Sequence, residues 1–198
     1  KVLDYTDNAL LLKRTLGNKS LIKMTRSGLD DQASKIICRV AACLHTPRKQ
    51  CLPDLMPLST CFEALMSAAK KHGGIFDDAA YLARSLLAKP EEVVVLHGDL
   101  HHGNILDSGS QGWLAIDPKG FLGERGFDFA NIFCNPDADI ATSPGRLMKQ
   151  VMVVTKMAHL EQHRLLAWIV SWAALSAAWH IEDGGGSRHY IGSCQNCA

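Results

Sequence analysis

Leu96-His97-Gly98-Asp99-Leu100-His101-His102-Gly103-Asn104 (LHGDLHHGN), taken with Ile116-Asp117-Pro118-Lys119, is the stretch that decides the fold. Val93-Val94-Val95-Leu96 reads as a short buried strand that delivers His97-Gly98-Asp99 into a polar, glycine-containing loop. Ile105-Leu106 and Trp113 to Ile116 read as two small strands around a turn at Asp107-Ser108-Gly109-Ser110. Asn104 stands five residues after Asp99, and Asp117 thirteen after Asn104, at the end of the second small strand.

Two carboxylates and an amide at these places match the needs of phosphoryl transfer. The acceptor hydroxyl must be held in line by a carboxylate that takes its proton, and charge on the transferred group must be neutralised by magnesium. Asp99 suits the first role. Asn104 and Asp117 offer hard oxygen ligands of the kind Mg2+ prefers alongside water and phosphate. The spacing matches the kinase pattern H-R-D-L-x-x-x-N, with Gly98 in place of the arginine. That arginine serves many protein kinases in sensing a phosphorylated activation loop, so its absence argues against such a switch.

Working outward, Val2 to Asp4 and Ala9 to Arg14 read as a hairpin joined through Asp4-Tyr5-Thr6-Asp7-Asn8, and Leu16 to Ser20 breaks the pattern. Asp30 to Thr46 carries apolar residues at helical spacing (Ala33, Ile36, Ile37, Val40, Ala41, Leu44), with Asp30 or Asp31 as the cap. Pro53 and Pro57 mark a loop. Helices are expected over Thr60 to His72, ended by Gly73-Gly74, and over Phe76 to Ala88, stopped at Lys89-Pro90. A glycine-punctuated loop is expected after Gly120, then helices near Phe127 to Phe133, from Pro144 to Ala158, and from Leu160 to Ile181. Gly184-Gly185-Gly186 closes the ordered part. There is no repeat and no regular β-α-β-α alternation, so the class is α+β and not a doubly wound sheet.

His97-Gly98-Asp99-Leu100-His101-x-x-Asn104 resembles the Brenner-type motif of aminoglycoside phosphotransferases. The run from LHGDLHHGNIL through GWLAIDPKGFLGERGFDFANIFCNPD is similar to the aminoglycoside 6-phosphotransferase family, which includes streptomycin 6-kinases and hydroxyurea phosphotransferases. Ala9 to Arg14 resembles that family's adenine-contacting strand and hinge, and Leu160 to Trp179, ending SAAW, its carboxyl helices; about 180 residues are covered. The resemblance implies a protein-kinase-like fold, mainly the helical C-terminal lobe. Residues 1–17 would be the end of the N-terminal lobe and hinge, 18–183 the catalytic lobe, and 184–198 a disordered or truncated tail. It implies ATP and Mg2+, with Asp99 as base and Asn104 and Asp117 holding the metal. Asp128 accepts backbone hydrogen bonds from the catalytic loop, and Leu12, Lys13 and Arg14 contact the nucleotide. His97 braces the loop, and Lys119 contacts phosphate, offsets Asp117 or is a plain surface lysine. His101 and His102 pack the loop or face substrate.

Two departures stand out. No glycine-rich loop, strand lysine or partner glutamate precedes the hinge, and Lys13 stands where an acidic residue is expected. The chain, which starts at Lys1, therefore reads as a piece that is inactive alone. The alternatives are a kinase for hydroxyurea or a sugar-like metabolite, or a catalytically dead binding fragment. A metal-dependent phosphoesterase is weaker, because an earlier D-x-H and a later G-N-H are missing.

The 198 residues, 47% hydrophobic and 21% charged, exclude a disordered chain. A net charge of +1 gives no footprint for nucleic acid or anionic membrane. Between Asp117 and Asp139, five acids against two bases suggest an acidic cleft for a cationic small-molecule acceptor, such as one bearing guanidinium groups. Seven scattered cysteines and no signal peptide suit the cytoplasm. Cys194 and Cys197, spaced C-x-x-C, read as a loose tail, since no second ligand pair follows. Leu165 to Trp179 is fifteen residues without a charge, short of the ~20 a bilayer span needs, and reads as a core helix.

Overall fold

The structure is a computed structural model and describes residues 2–7, 9–47, 49 and 52–183. The expected tail at 184–198, with Cys194 and Cys197, lies outside the described residues, as does Cys51. The architecture is mixed α+β, dominated by helices, with three small sheets.

The chain opens on an antiparallel hairpin of β1 (Val2–Thr6) and β2 (Ala9–Leu12), exposed along both strands. The first strand runs on through Tyr5 and Thr6, expected in the connection, because an aromatic and a β-branched residue suit a pleated strand. The next segment ties this hairpin to the site region. Lys19 N–H donates to Asp107 Oδ2 (3.0 Å), and Ser20 bridges Leu106. The Ser20 hydroxyl caps α1 (Leu21–Arg26), a helix too short to show a period in the sequence.

Helix α2 (Asp30–His45) follows. Its N-cap is Leu29, without a side-chain hydrogen bond, and not Asp30 or Asp31. Both aspartates sit inside the first turn and are turned to tertiary pairing. Asp30 takes Arg146 (2.7 Å), and Asp31 takes Gln150 (2.8 Å) and Lys149 (3.1 Å).

The expected proline loop contains β3 (Met56–Pro57) and α3 (Leu58–Cys61); a break at Phe62 separates α3 from α4 (Glu63–His72). Proline is tolerated in β3 because that strand lies at the edge of its sheet. After α5 (Ile75–Ala88) comes β4 (Val93–Leu96), which grades from exposed Val93 to buried Leu96 and is not buried throughout. The hairpin β5 (Ile105–Asp107) and β6 (Trp113–Ala115) pairs in register, Ile105 opposite Ala115.

The segment after Gly120, expected as loop, holds β7 (Phe121–Glu124). This strand is the centre of the sheet β3-β7-β4, parallel to the first and antiparallel to the last. Its Gly123 hides the strand signal, yet the glycine is needed. A Cβ there would lie 2.6 Å from Leu58 Cβ.

Helix α6 (Gly126–Ala130) tightens into a 3-10 turn over Asn131–Cys134, followed by α7 (Ala138–Ala141). Helix α8 (Arg146–Ala158) begins two residues after Pro144, behind left-handed Gly145. The last helix, α9 (Gln162–Glu182), packs against α4, α5, α6 and α8. By length and composition alone it would cross a bilayer, but Leu165, Trp168, Ile169, Trp172 and Leu175 are core residues. Phe127 meets Trp168 and Trp172 edge-on at 5.6 and 5.4 Å, so α6 and α9 are locked by aromatic packing. Beside them Glu124, 3% exposed, takes both Arg164 and the Trp168 indole N–H (2.8 Å), which fixes α9 to β7.

Candidate active site

The loop after β4 is held by one buried carboxylate. Asp128 Oδ2 accepts the backbone N–H of His97 (2.9 Å) and His45 Nε2 (2.8 Å), and Oδ1 accepts the N–H of Gly98 (2.8 Å). His97 contributes from its side chain. Its Nε2 donates to the Ile116 carbonyl (2.9 Å), and its Nδ1 accepts the Asp99 N–H (3.2 Å), so one tautomer serves both contacts. The β4 loop is thereby tied to the end of the β5–β6 hairpin.

The geometry at Gly98 calls for glycine. Its φ is +81°, and a Cβ would lie 2.6 Å from Phe121 Cδ2 and 3.1 Å from Lys119 Cβ. No side chain fits without moving the ring of β7.

Asp99 then points into a cavity of about 520 Å³, lined also by His101, Asn104, Lys119, Asn131 and Trp172. Its Oδ1 accepts Asn131 Nδ2 (2.9 Å) and its Oδ2 accepts Asn104 Nδ2 (3.2 Å). Burial pushes the Asp99 carboxyl above the ordinary range, against the opposing pull of His101, Lys119 and His97. His101 Nδ1 accepts the Gly103 N–H (3.0 Å), and its Nε2 lies 3.9 Å from Asp99 Oδ1. Burial lowers the His101 pKa. His102 points the other way. It is 2% exposed, and burial beside Arg146 depresses its pKa to about 4, so it is a neutral packing residue.

Asn104 spends its amide N–H on the Asp99 carbonyl (2.9 Å) as well as the carboxylate, which leaves Oδ1 for a cation. Asp117 is half exposed at φ +60°, and Lys119 Nζ lies 2.8 Å from its Oδ2. Among the described residues, no three His, Cys, Asp or Glu side chains are arranged to hold a metal ion. One carboxylate and one amide oxygen are nevertheless a donor set that fits Mg2+, which keeps water and phosphate in its remaining positions.

Leu12, Lys13 and Arg14 are exposed in and just after β2 and do not line this cavity. The expected acidic cleft is not formed. Glu124 and Asp128 are buried and paired internally, and Asp137 caps α7 and binds Arg26 (2.9 Å). Among the described residues, Asp99 is the one acid lining the cavity. Counting acids along the sequence misled because burial and pairing are tertiary facts. Sequence reading also missed Asn131, His45 and Trp172 as neighbours of the loop and its aspartates. Asn131 carried one usable signal, since it lies a helical turn beyond Asp128 and shares its face.

Comparison with known proteins gives the family. Residues 1–184 match the aminoglycoside/hydroxyurea antibiotic resistance kinase family. The chain belongs to that family. Similar proteins include a streptomycin 3''-kinase of Klebsiella pneumoniae, 50% identical over 189 residues, which are 93% of this chain and 71% of the relative. A streptomycin 6-kinase of Streptomyces griseus is 26% identical over 93% of this chain and 62% of its own length. A hydroxyurea phosphotransferase of Kitasatospora aureofaciens is 33% identical over 54% of this chain and 30% of its own. The stretches matched to this member of the antibiotic resistance kinases thus cover from 30% to 71% of these relatives' own lengths.

Proposed function

We propose that the protein transfers the γ-phosphate of ATP, with Mg2+, to a hydroxyl of streptomycin or a close aminoglycoside, in the cytoplasm. The observation that carries this reading is the Asp99 carboxylate held between two amide donors in a cavity, beside Asn104 and Lys119. Residues 18–183 then correspond to the catalytic lobe of a kinase-like fold, and residues 1–17 to the strand and hinge on the adenine side, with Leu12, Lys13 and Arg14 along the nucleotide. The 50% identity to a streptomycin 3''-kinase favours the 3''-hydroxyl over the 6-hydroxyl that the motif alone suggested.

In this reading Asp99 accepts the proton of the acceptor hydroxyl as its oxygen bonds to the γ-phosphorus and ADP leaves with the bridging oxygen. Raised by burial, the carboxyl is a better proton acceptor than a solvated aspartate. Mg2+, when bound through Asn104 Oδ1 and Asp117, supplies neutralisation of the phosphate charge. Lys119 offsets Asp117. His97 and Asp128 keep the loop backbone in place.

The test is incubation of the intact protein with ATP, Mg2+ and streptomycin, with phosphorus–proton correlation to locate the ester. Phosphorylation at the 3''-position that Asp99→Ala abolishes is the expected result. Phosphorylation at the 6-position would overturn the positional assignment, and turnover of hydroxyurea alone would overturn the acceptor class.

A further inference from the structure

We propose that Asn131 is a positioning residue for Asp99, setting the direction of its carboxylate from the core of the molecule; this deepens, and rests on, the reading of Asp99 as the base. Asn131 is 8% exposed and opens the 3-10 turn after α6. Its Oδ1 accepts two N–H donors, the Trp172 indole (3.0 Å) and the Asn135 amide (2.8 Å). Turning the amide over would set its NH2 against both donors and leave the buried Trp172 indole N–H without this acceptor, while Asn135 keeps the Asn131 carbonyl (2.9 Å), so the flip is disfavoured. With the oxygen fixed, Nδ2 must face Asp99 Oδ1, where it donates at 2.9 Å.

The consequence is directional. Asn104, on the same loop as Asp99, holds the other carboxylate oxygen. A clamp from Asn104 alone would move with the loop. Asn131 refers the carboxylate instead to α9, because Trp172 is 7% exposed and packs on Phe127. The carboxylate plane is therefore defined by two amides on two separate elements, before any acceptor arrives. Pre-set orientation of this kind is what proton transfer at an attacking hydroxyl requires, and displacement by about 1 Å costs on the order of 100-fold in rate.

Kinetics of the intact protein with ATP, Mg2+ and streptomycin distinguish positioning from plain structural support. Asn131→Ala should lower kcat about 10- to 100-fold with both KM values within about twofold. Trp172→Phe, which frees the Asn131 oxygen from one donor, should give a smaller loss in the same parameter. Asn131→Ala added to Asp99→Glu, a variant that keeps a carboxylate and a measurable rate, should cost much less than it costs the wild type, because Asn131 acts through Asp99. Losses that multiply in the double variant, or that fall on KM, would overturn the proposal. A second measurement needs no turnover. The Asn131 side-chain amide protons should exchange slowly in the wild type and quickly in Asp99→Ala. Solvent-rate exchange in the wild type would refute the contact itself. An active Asp99→Ala would instead sink the base assignment, with the exchange result still deciding whether Asn131 holds the carboxylate.

Discussion

Replacing Asp128 by asparagine is the sharpest perturbation of the loop, because it changes one atom of a carboxylate that is 1% exposed. The oxygen at Oδ2 takes two donors, His97 N–H and His45 Nε2, and the oxygen at Oδ1 takes one, Gly98 N–H. The amide will keep its oxygen where two donors converge. Its NH2 then faces the Gly98 N–H, so one hydrogen bond is lost and a donor meets a donor. The two remaining bonds lose their ionic acceptor. Hydrogen bonds to charged groups contribute about 1.5–3 kcal/mol each, and no solvent reaches the site to soften the loss. The expected destabilisation is about 3 kcal/mol, a large part of the ~5–15 kcal/mol that holds an ordinary domain. With a urea dependence of about 1–3 kcal/mol per molar, the midpoint should fall by about 1–3 M. Amide exchange at Gly98 should accelerate, while exchange in α8 measured below the transition should change little. His45→Gln should cost less, since two of the three donors survive. A midpoint within about 0.3 M of wild type, with Gly98 still protected, would show that Asp128 does not hold the loop.

Other consequences follow from the same structure. Gly98→Ala places a methyl group against the Phe121 ring at positive φ, and should cost about 2–4 kcal/mol; Phe121→Leu in the same chain should recover part of it, as measured by thermal midpoint. Glu124→Ala removes the acceptor of the Trp168 indole N–H and leaves Arg164 the Lys89 carbonyl and Glu91; it should cost about 3 kcal/mol, with the change in Trp168 surroundings visible in fluorescence. Cys38 is 3% exposed and burial pushes its thiol up to about 12, so iodoacetamide at pH 8 should label exposed Cys43 and spare Cys38 until urea unfolds the chain; peptide mapping reads both.

What the sequence made legible is what is local along the chain. Asp99, Asn104 and the β5–β6 hairpin lie within a few residues of one another, so their spacing already carries their geometry. The long helices were legible for the same reason, since an apolar face needs only neighbours at three and four residues. The strand β7 was not, because Gly123 interrupts a short pattern for the sake of Leu58, a residue 65 positions away in the chain. The acids from Asp117 to Asp139 were misjudged on the same ground. Arg164 answers Glu124, Arg26 answers Asp137, and His45 answers Asp128, and each partner comes from a distant element. A signed count of charges has no access to those pairings.

The join between α6 and the 3-10 turn gives a reason for one such tertiary arrangement. In an α-helix, residues three apart lie on one face. Asp128 lies in α6, and Asn131 begins the tighter turn. Ala130 is still α-helical (φ −62°, ψ −39°), so Asn131 follows Asp128 by three residues on one helical face and both side chains reach the same loop. Asp128 takes the loop's backbone N–H groups, and Asn131 takes the side chain of Asp99. The packing of Phe127 on Trp168 and Trp172 holds this short segment against α9, so its irregular geometry is set by the largest side chains in the core. The rigidity of the core is thus what sets the direction of the Asp99 carboxylate.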